Sequence, residues 1–490
     1  MNLPHQKINL VWFKRDLRTT DHASLHQASL SSIPSLLFYC FEPSQQNQEE
    51  VSSRHLQFIQ QSLDDLRHAL ERNGHCLYVF QAEIIEVLSL LKQHYQIENL
   101  FSHQETGLKS TYDRDLAVNA YCRQYHIRWL EFQNNGILRG LMNREGWTRN
   151  WYGYMSEPLI NTDLRRLSSV TLSADFDGRF QTIQKAKTSD RFQPGGLNQA
   201  RTILTSFGHK RAKNYSRHIS KPEFSHTSCS RLSPYLAYGN LSVREVYQHV
   251  RFQISNRQMA SSLHNFSNRL RWHCHFIQKF EMEDRMEFES INRGYDHLPW
   301  YQAENILEAW QKGQTGYPLV DACMRCLNAT GWINFRMRAM LISFITHLAG
   351  QHWKAPAVHL ARMFVDFEPG IHYPQVQMQT GLTGINTIRI YNPVKQSIEH
   401  DPKGLFIKKW VPELIKVPGN QVHEPWKLTY AEQKWYRCIP GQNYPEPVLN
   451  FSEARKKASG LLWGFRKNQM VRQESRRILK KHTIPGKRNA

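Results

Sequence analysis

The chain has 490 residues, 40% hydrophobic and 12% aromatic, enough for two or three domains with real cores, and this excludes a disordered protein. It carries 63 Lys and Arg against 42 Asp and Glu, a net charge of +21, which predicts a polyanionic partner, nucleic acid being the usual one, without implying any sequence preference. No run of about 18 apolar residues occurs, and Met1 to Gln6 leads straight into the first apolar run; neither a membrane span nor a cleaved signal is expected, and the protein reads as cytoplasmic.

Between residue 8 and about residue 132, short apolar runs (Ile8 to Phe13, Ser35 to Tyr39, Cys76 to Phe80, Asn99 to Phe101, Ile127 to Phe132) alternate with helical patterns, which predicts a parallel sheet with crossover helices. The clearest helix places Leu56, Ile59, Leu63, Leu66 and Leu70 on one face. No Gly-x-Gly-x-x-Gly follows a strand, so spacing gives no dinucleotide site. Residues 134–194 are poor in periodicity and read as an interdomain connector ending at Pro194-Gly195-Gly196. Helical patterns dominate residues 195–460. Residues 461–490 form a basic tail, read equally well as a solvated extension or as an arm for DNA. The eight cysteines are spread thinly, as reduced thiols would be; Cys323 and Cys326 have metal-ligand spacing, but no grouped third and fourth ligand follows, and no metal is expected.

The most informative segment runs from Thr315 through Gly316-Tyr317-Pro318 and Asp321 to Arg325, and on through Gly331-Trp332 to Arg336 and Arg338. A Gly-Tyr-Pro turn ends one helix and opens the next, and arginines beside Met324, Trp332 and Met337 want an anion or a flat ring; solvated arginines on an amphipathic helix are the plain alternative. Further motifs are Trp12-Phe13-Lys14-Arg15-Asp16-Leu17-Arg18, Ser230 to Ser242, Arg389 to Gln396 with Lys409 to Leu414, and Tyr444-Pro445-Glu446-Pro447. In this order, from about residue 8 to about residue 460, they resemble the cryptochrome/photolyase family, with Lys14 and His22 departing from its opening signature. The resemblance implies an α/β protein: an amino-terminal Rossmann-like domain (1–133) that carries an antenna in many members, then an all-α FAD-binding domain. It implies FAD, and leaves room for a second antenna chromophore of the folate or flavin type. Some members hold an iron–sulfur cluster on four cysteines, which this chain does not group.

Carried over residue by residue, the resemblance places Tyr215 near the adenosine end of FAD and Cys229, Ser230, Arg231, Leu232 and Ser233 on its phosphates, with Cys229 replacing a threonine. A Ser-rich helix start suits a diphosphate, because unpaired amides and the helix dipole favour negative charge. The resemblance also pairs Arg338 with Asp366 beneath the ring, puts Glu368 on a second flavin contact and His372 near flavin N5; a packed core histidine is the alternative for His372. Trp300 and Trp353 match the outer and middle tryptophans of the family's electron path. Val376 stands at the inner position, where Tyr373 or Tyr391 is an oxidisable substitute.

The DNA-facing residues implied are Arg269, Trp272, His273 and Arg336. Trp272 can stack on a base, but Arg269 stands where cyclobutane-dimer photolyases have glutamate, and Phe335 where they have asparagine. Guanidinium has five donors and no acceptor, so it cannot replace that carboxylate. Ala339 breaks the histidine pair of the (6-4) photolyases, while His273, His275 and His372 read as a cleft suited to proton transfer at neutral pH. The sequence therefore leans to a cryptochrome-like photoreceptor with DNA affinity over a DNA photolyase, with a non-photochemical DNA-binding flavoprotein as the third reading; it names no signalling partner.

Overall fold

Five apolar runs pair into one parallel sheet: β1 (Lys7–Phe13), β2 (Ser35–Cys40), β3 (Leu77–Phe80), β4 (Gln96–His103) and β5 (Arg128–Phe132), in spatial order β3-β2-β1-β4-β5. The computed structural model describes residues 6–172 and 189–483, apart from residues 256 and 302. β4 extends well beyond its apolar run because it pairs on both sides, with β1 from Gln96 and with β5 as far as His103, so ladder bonds recruit the flanking polar residues.

Helices Ala23–Ser29, Ser53–Glu71, Ile84–His94 and Lys109–Gln124 connect successive strands. They cover both faces, as a parallel sheet requires. The period of two in β1 sorts the faces: Ile8, Leu10 and Trp12 pack with Val87, Leu88, Leu91 and Val118, whereas Val11 and Phe13 pack with Leu25, Leu63, Leu66 and Leu70.

The stretch expected to be an aperiodic connector carries a helix, Trp147–Ser156, whose Trp147, Trp151 and Met155 are buried one turn apart. They join Phe58 of the first half and helices Leu197–His209 and Ala260–Glu281 in a single core, so this stretch is a wedge between the halves. Its spacing of four was the available signal, hidden among polar residues; residues 173–188 lie outside the described residues.

From Leu197 onward no strand occurs among the described residues, and the larger core is built by helices including Pro318–Thr330, Phe335–Ser343, Lys354–Met363 and Pro369–Gln379. The Gly-Tyr-Pro motif is scaffold here. Asp321 accepts from Thr315 N (2.7 Å), Thr315 Oγ1 (2.6 Å), Gly316 N (3.1 Å) and Tyr444 Oη (2.7 Å), which ties two of the sequence motifs together. Gly316, at φ +75°, lies so close to the Glu446 carbonyl that a Cβ would meet it at 2.3 Å. Arg325 finds its anion in Glu413, at 2.8 and 2.9 Å.

As far as residue 483 the basic tail is folded onto the helical half. It folds into helices Phe451–Arg466 and Gln469–His482, and the second buries Val471, Ile478 and His482. No helix among the described residues is long and apolar enough to cross a membrane.

Candidate functional site

Helix Phe335–Ser343 and the turn before helix Pro369–Gln379 bring Arg338 and Asp366 together. Arg338 Nη2 is 2.9 Å from Asp366 Oδ2, its Nε donates to the Ile333 carbonyl at 2.9 Å, and its guanidinium lies 3.9 Å over the Phe364 ring. Two residues on, Glu368 Oε2 is 3.6 Å from Arg15 Nη2, and Arg15 also donates to the carbonyls of Ala237 (2.8 Å) and Phe367 (2.7 Å). Arg15 therefore locks the loop after β1 onto the helical half. Burial raises the Glu368 carboxyl, and Arg15 opposes the shift.

His372 sits one turn into its helix with Nε2 2.9 Å from the Ala357 carbonyl. A carbonyl only accepts, so Nε2 carries the proton and Nδ1 presents a lone pair. Burial pushes His372 down to about 4, His273 to about 4 and His275 to about 3. These rings are neutral at neutral pH and able to accept a proton.

The diphosphate expectation changes in detail. The helix opened by Ser233 runs only to Ala237, too short to build much of a dipole. Leu232 is packed in the core and can offer only backbone, and burial pushes the Cys229 thiol up to about 12, so it stays protonated, a weak donor where threonine would be a stronger one. Tyr215 is buried edge-on to Phe207 and Phe266 at 5.6 and 5.8 Å, a packing arrangement. Ser230 and Ser233 stay half-buried. Arg231 adopts φ +61°, and its guanidinium lies 4.1 Å over Trp332. Burial lowers it to about 10, with Asp366 the largest opposing influence.

Several polar atoms around this locus are buried without a protein partner: Asp366 Oδ1, Glu368 Oε1 and Asn334 Oδ1. Orphaned acceptors cost roughly 1–3 kcal/mol each, while the Arg338 side chain keeps 25% of its surface. A flat heterocycle bearing N–H and carbonyl groups complements such a set, so the residues fit a flavin.

An aromatic series leads away from His372: Tyr373 (5.4 Å between centroids), Trp353 (6.5 Å from Tyr373), His352 (5.6 Å) and half-buried Trp300 (5.3 Å), while Val376 is buried. On helix Ala260–Glu281, Arg269 and Trp272 are exposed one turn apart, Trp272 at 49% with its ring edge-to-face with His275, 5.1 Å between centroids. Phe335 is 45% exposed, and Arg336 is half-buried with its guanidinium 6.0 Å from the Tyr391 ring.

Two clusters escaped sequence reading. At the carboxyl ends of the strands, Arg114 binds Glu42, Glu105 and Asp115, and Lys14 reaches Asp115 and Glu131. Asp16 lies 2.7 Å from His103 Nδ1 and 3.1 Å from His22 Nε2, all three buried. His22 Nδ1 accepts from Leu25 N as a helix cap, so the neutral ring carries its proton on Nε2. That tautomer suits a hydrogen bond to Asp16 and has no lone pair there for a metal.

Residues 266–463 match the family model for the FAD binding domain of DNA photolyase, and residues 9–140 match that for DNA photolyase. The chain belongs to the cryptochrome/DNA photolyase family. Its helical half contains the family's FAD-binding domain, and FAD is its cofactor. Among relatives, the deoxyribodipyrimidine photo-lyase of Alkalihalophilus pseudofirmus is 28% identical over 480 residues, covering 93% of this chain and 98% of that protein. Cryptochrome DASH of Synechocystis sp. is 28% identical over 500 residues, covering 91% and 97%. The solved Synechocystis cryptochrome superposes with a TM-score of 0.84 at 25% identity, covering 94% of this chain and all (100%) of that one. Photolyases and cryptochromes thus both stand among the relatives.

Proposed function

We propose that this protein is a cryptochrome-like, blue-light-responsive flavoprotein that binds DNA through its basic surface. The observation that carries the reading is the lesion-facing helix: Arg269 is exposed one turn from Trp272, where cyclobutane-dimer enzymes of the family place a glutamate. Arginine offers donors where a pyrimidine N3–H needs an acceptor. Bound FAD supplies blue-light absorption and one-electron chemistry. Arg338 and Asp366 would hold the ring, with Glu368 and the Nδ1 lone pair of His372 as further acceptors and Ser230, Arg231 and Ser233 toward the phosphates. The Phe364 and Phe367 rings beside His372, at 6.3 and 5.4 Å, would keep water from that edge.

A second reading, a light-driven photolyase, is favoured by one observation: the half-exposed Trp272 indole is free on one side to stack on an extruded base. The test is illumination of the flavin-loaded protein with irradiated oligonucleotides, measuring cyclobutane and (6-4) lesions separately. The photoreceptor reading expects neither lesion to disappear while salt-sensitive DNA binding persists. Catalytic, light-dependent loss of either lesion overturns it in favour of repair.

A further inference from the structure

Tyr373 is fully buried on helix Pro369–Gln379, and its hydroxyl donates to Oε1 of Glu50, which comes from the loop before helix Ser53–Glu71 in the other half of the molecule. Glu50 is itself buried. Lys354 Nζ lies 3.9 Å from the same carboxylate oxygen and 5.1 Å from the Tyr373 ring centroid, a cation beside both partners. Burial, and then the charge of Glu50, raise the phenol well above its ordinary value, so Tyr373 keeps its proton at rest. A second carboxyl is near: burial, with a further contribution from Glu50, raises Glu287 to about 7.

The ring meets Trp353 edge-on at 6.5 Å and stacks on Phe280 at 6.1 Å. Trp353 connects through His352 to Trp300, which is only half-buried. A buried tyrosine that both ends an aromatic series and donates to a carboxylate can give up an electron and a proton together.

We propose that Tyr373 and Glu50 form a proton-coupled redox pair: when Trp353 has lost one electron, Tyr373 restores it and passes the phenolic proton to Glu50. The indole radical cation gains one electron and becomes neutral indole. The Tyr373 O–H bond breaks as the phenol loses that electron, leaving a neutral tyrosyl radical, and a new O–H bond forms on the Glu50 carboxylate. One positive and one negative charge disappear together, and Lys354, the cation left beside Glu50, keeps 28% of its side-chain surface and donates to the Glu287 carbonyl at 2.6 Å. The oxidant of Trp353 is a light-excited one-electron acceptor, the chemistry a bound flavin supplies; in this respect alone the pair rests on the proposed function. A purely structural Tyr373–Glu50 bond between the two halves would move stability but not the identity of the radical.

The test uses the full chain and two oxidants. A ruthenium polypyridyl complex with a sacrificial electron acceptor, excited by a laser flash, oxidises the protein without reliance on flavin, and blue light on flavin-loaded protein is the second arm. Electron paramagnetic resonance identifies the radical, and infrared difference spectra follow the carboxyl. In wild type the ruthenium flash gives a neutral tyrosyl radical together with a new protonated-carboxyl band, and Tyr373→Phe loses both. Glu50→Gln, nearly the same in shape, loses the band and forms the tyrosyl radical about 100-fold more slowly, leaving an indole radical. A tyrosyl radical that forms as fast in Glu50→Gln as in wild type, or that survives Tyr373→Phe, overturns the pair. If the ruthenium flash gives the expected pattern and blue light does not, the pair stands and the light-responsive reading fails.

Discussion

Arg338 is held by an anion, a carbonyl and a ring, and only the anion is ionic: Asp366 Oδ2 at 2.9 Å, the Ile333 carbonyl at 2.9 Å and Phe364 at 3.9 Å. Removing one partner of a buried pair costs about 3–5 kcal/mol, and the quarter of the Arg338 side chain still exposed puts this case at the lower end. Asp366→Ala should therefore unfold about 3 kcal/mol more easily in urea. It should also purify with little flavin, measured as the absorbance released on denaturation. Full retention of flavin would show that Asp366 serves the arginine alone. The same scale shows why residue-by-residue transfer is uneven. Arg338 and His372 stand where neighbours leave them polar work to do, whereas Leu232 and Tyr215 have been absorbed into packing that no motif discloses.

Elements were legible where one physical pattern ruled. Strands β1, β2 and β3 showed as apolar runs because a parallel sheet is buried on both faces, and helix Ser53–Glu71 showed by its leucine stripe. Trp147–Ser156 did not show, because three buried residues were diluted by polar ones, and the partners of the site arriving from afar, Arg15 on Glu368 and Glu50 on Tyr373, have no local signal at all. The tail is the plainest case. Its cations read as a solvated extension or an arm for DNA, yet Arg477 lies 2.9 Å and Lys481 3.8 Å from Glu283, whose side chain is 5% exposed, and His482 bonds it too. Against burial, His482 and Arg477 hold the Glu283 carboxyl well below its ordinary range. Gly294 lies under this helix, and a Cβ there would meet the Val471 side chain and backbone at 2.6 Å. Gly294→Ala should cost about 1–3 kcal/mol by overpacking. In a chain ending at residue 468 the same substitution should be nearly neutral, and an equal cost in both backgrounds would show that the tail helix does not dock there.

For the molecule as a whole, acid is the condition these contacts resist least. His55, His103 and His347 are buried, and burial is the largest cause pushing each down to about 4. The unfolded chain takes up protons near its ordinary value of about 6.5. The folded chain does not until about 4, so the stability these rings contribute is complete above about pH 6.5 and declines as pH falls toward 4. Glu287, raised to about 7, works in the opposite sense, as do Glu42, Glu368 and Asp321, while His273, His359 and His372, each pushed down to about 4, join the three rings. His55 shows the geometry behind the shift. Its Nδ1 accepts from Ser52 N at 3.1 Å while Nε2 bonds the Phe364 carbonyl at 2.8 Å, so a second proton would face an N–H. Glutamine offers one donor and one acceptor without titrating. Urea unfolding at pH 7 and pH 5 should show wild type losing stability on acidification, and His55→Gln losing less by up to about 2 kcal/mol. Equal losses in the two proteins would mean that His55 is already protonated in the folded state, or that the first turn of helix Ser53–Glu71, which bears it just after Glu50, opens before the core does.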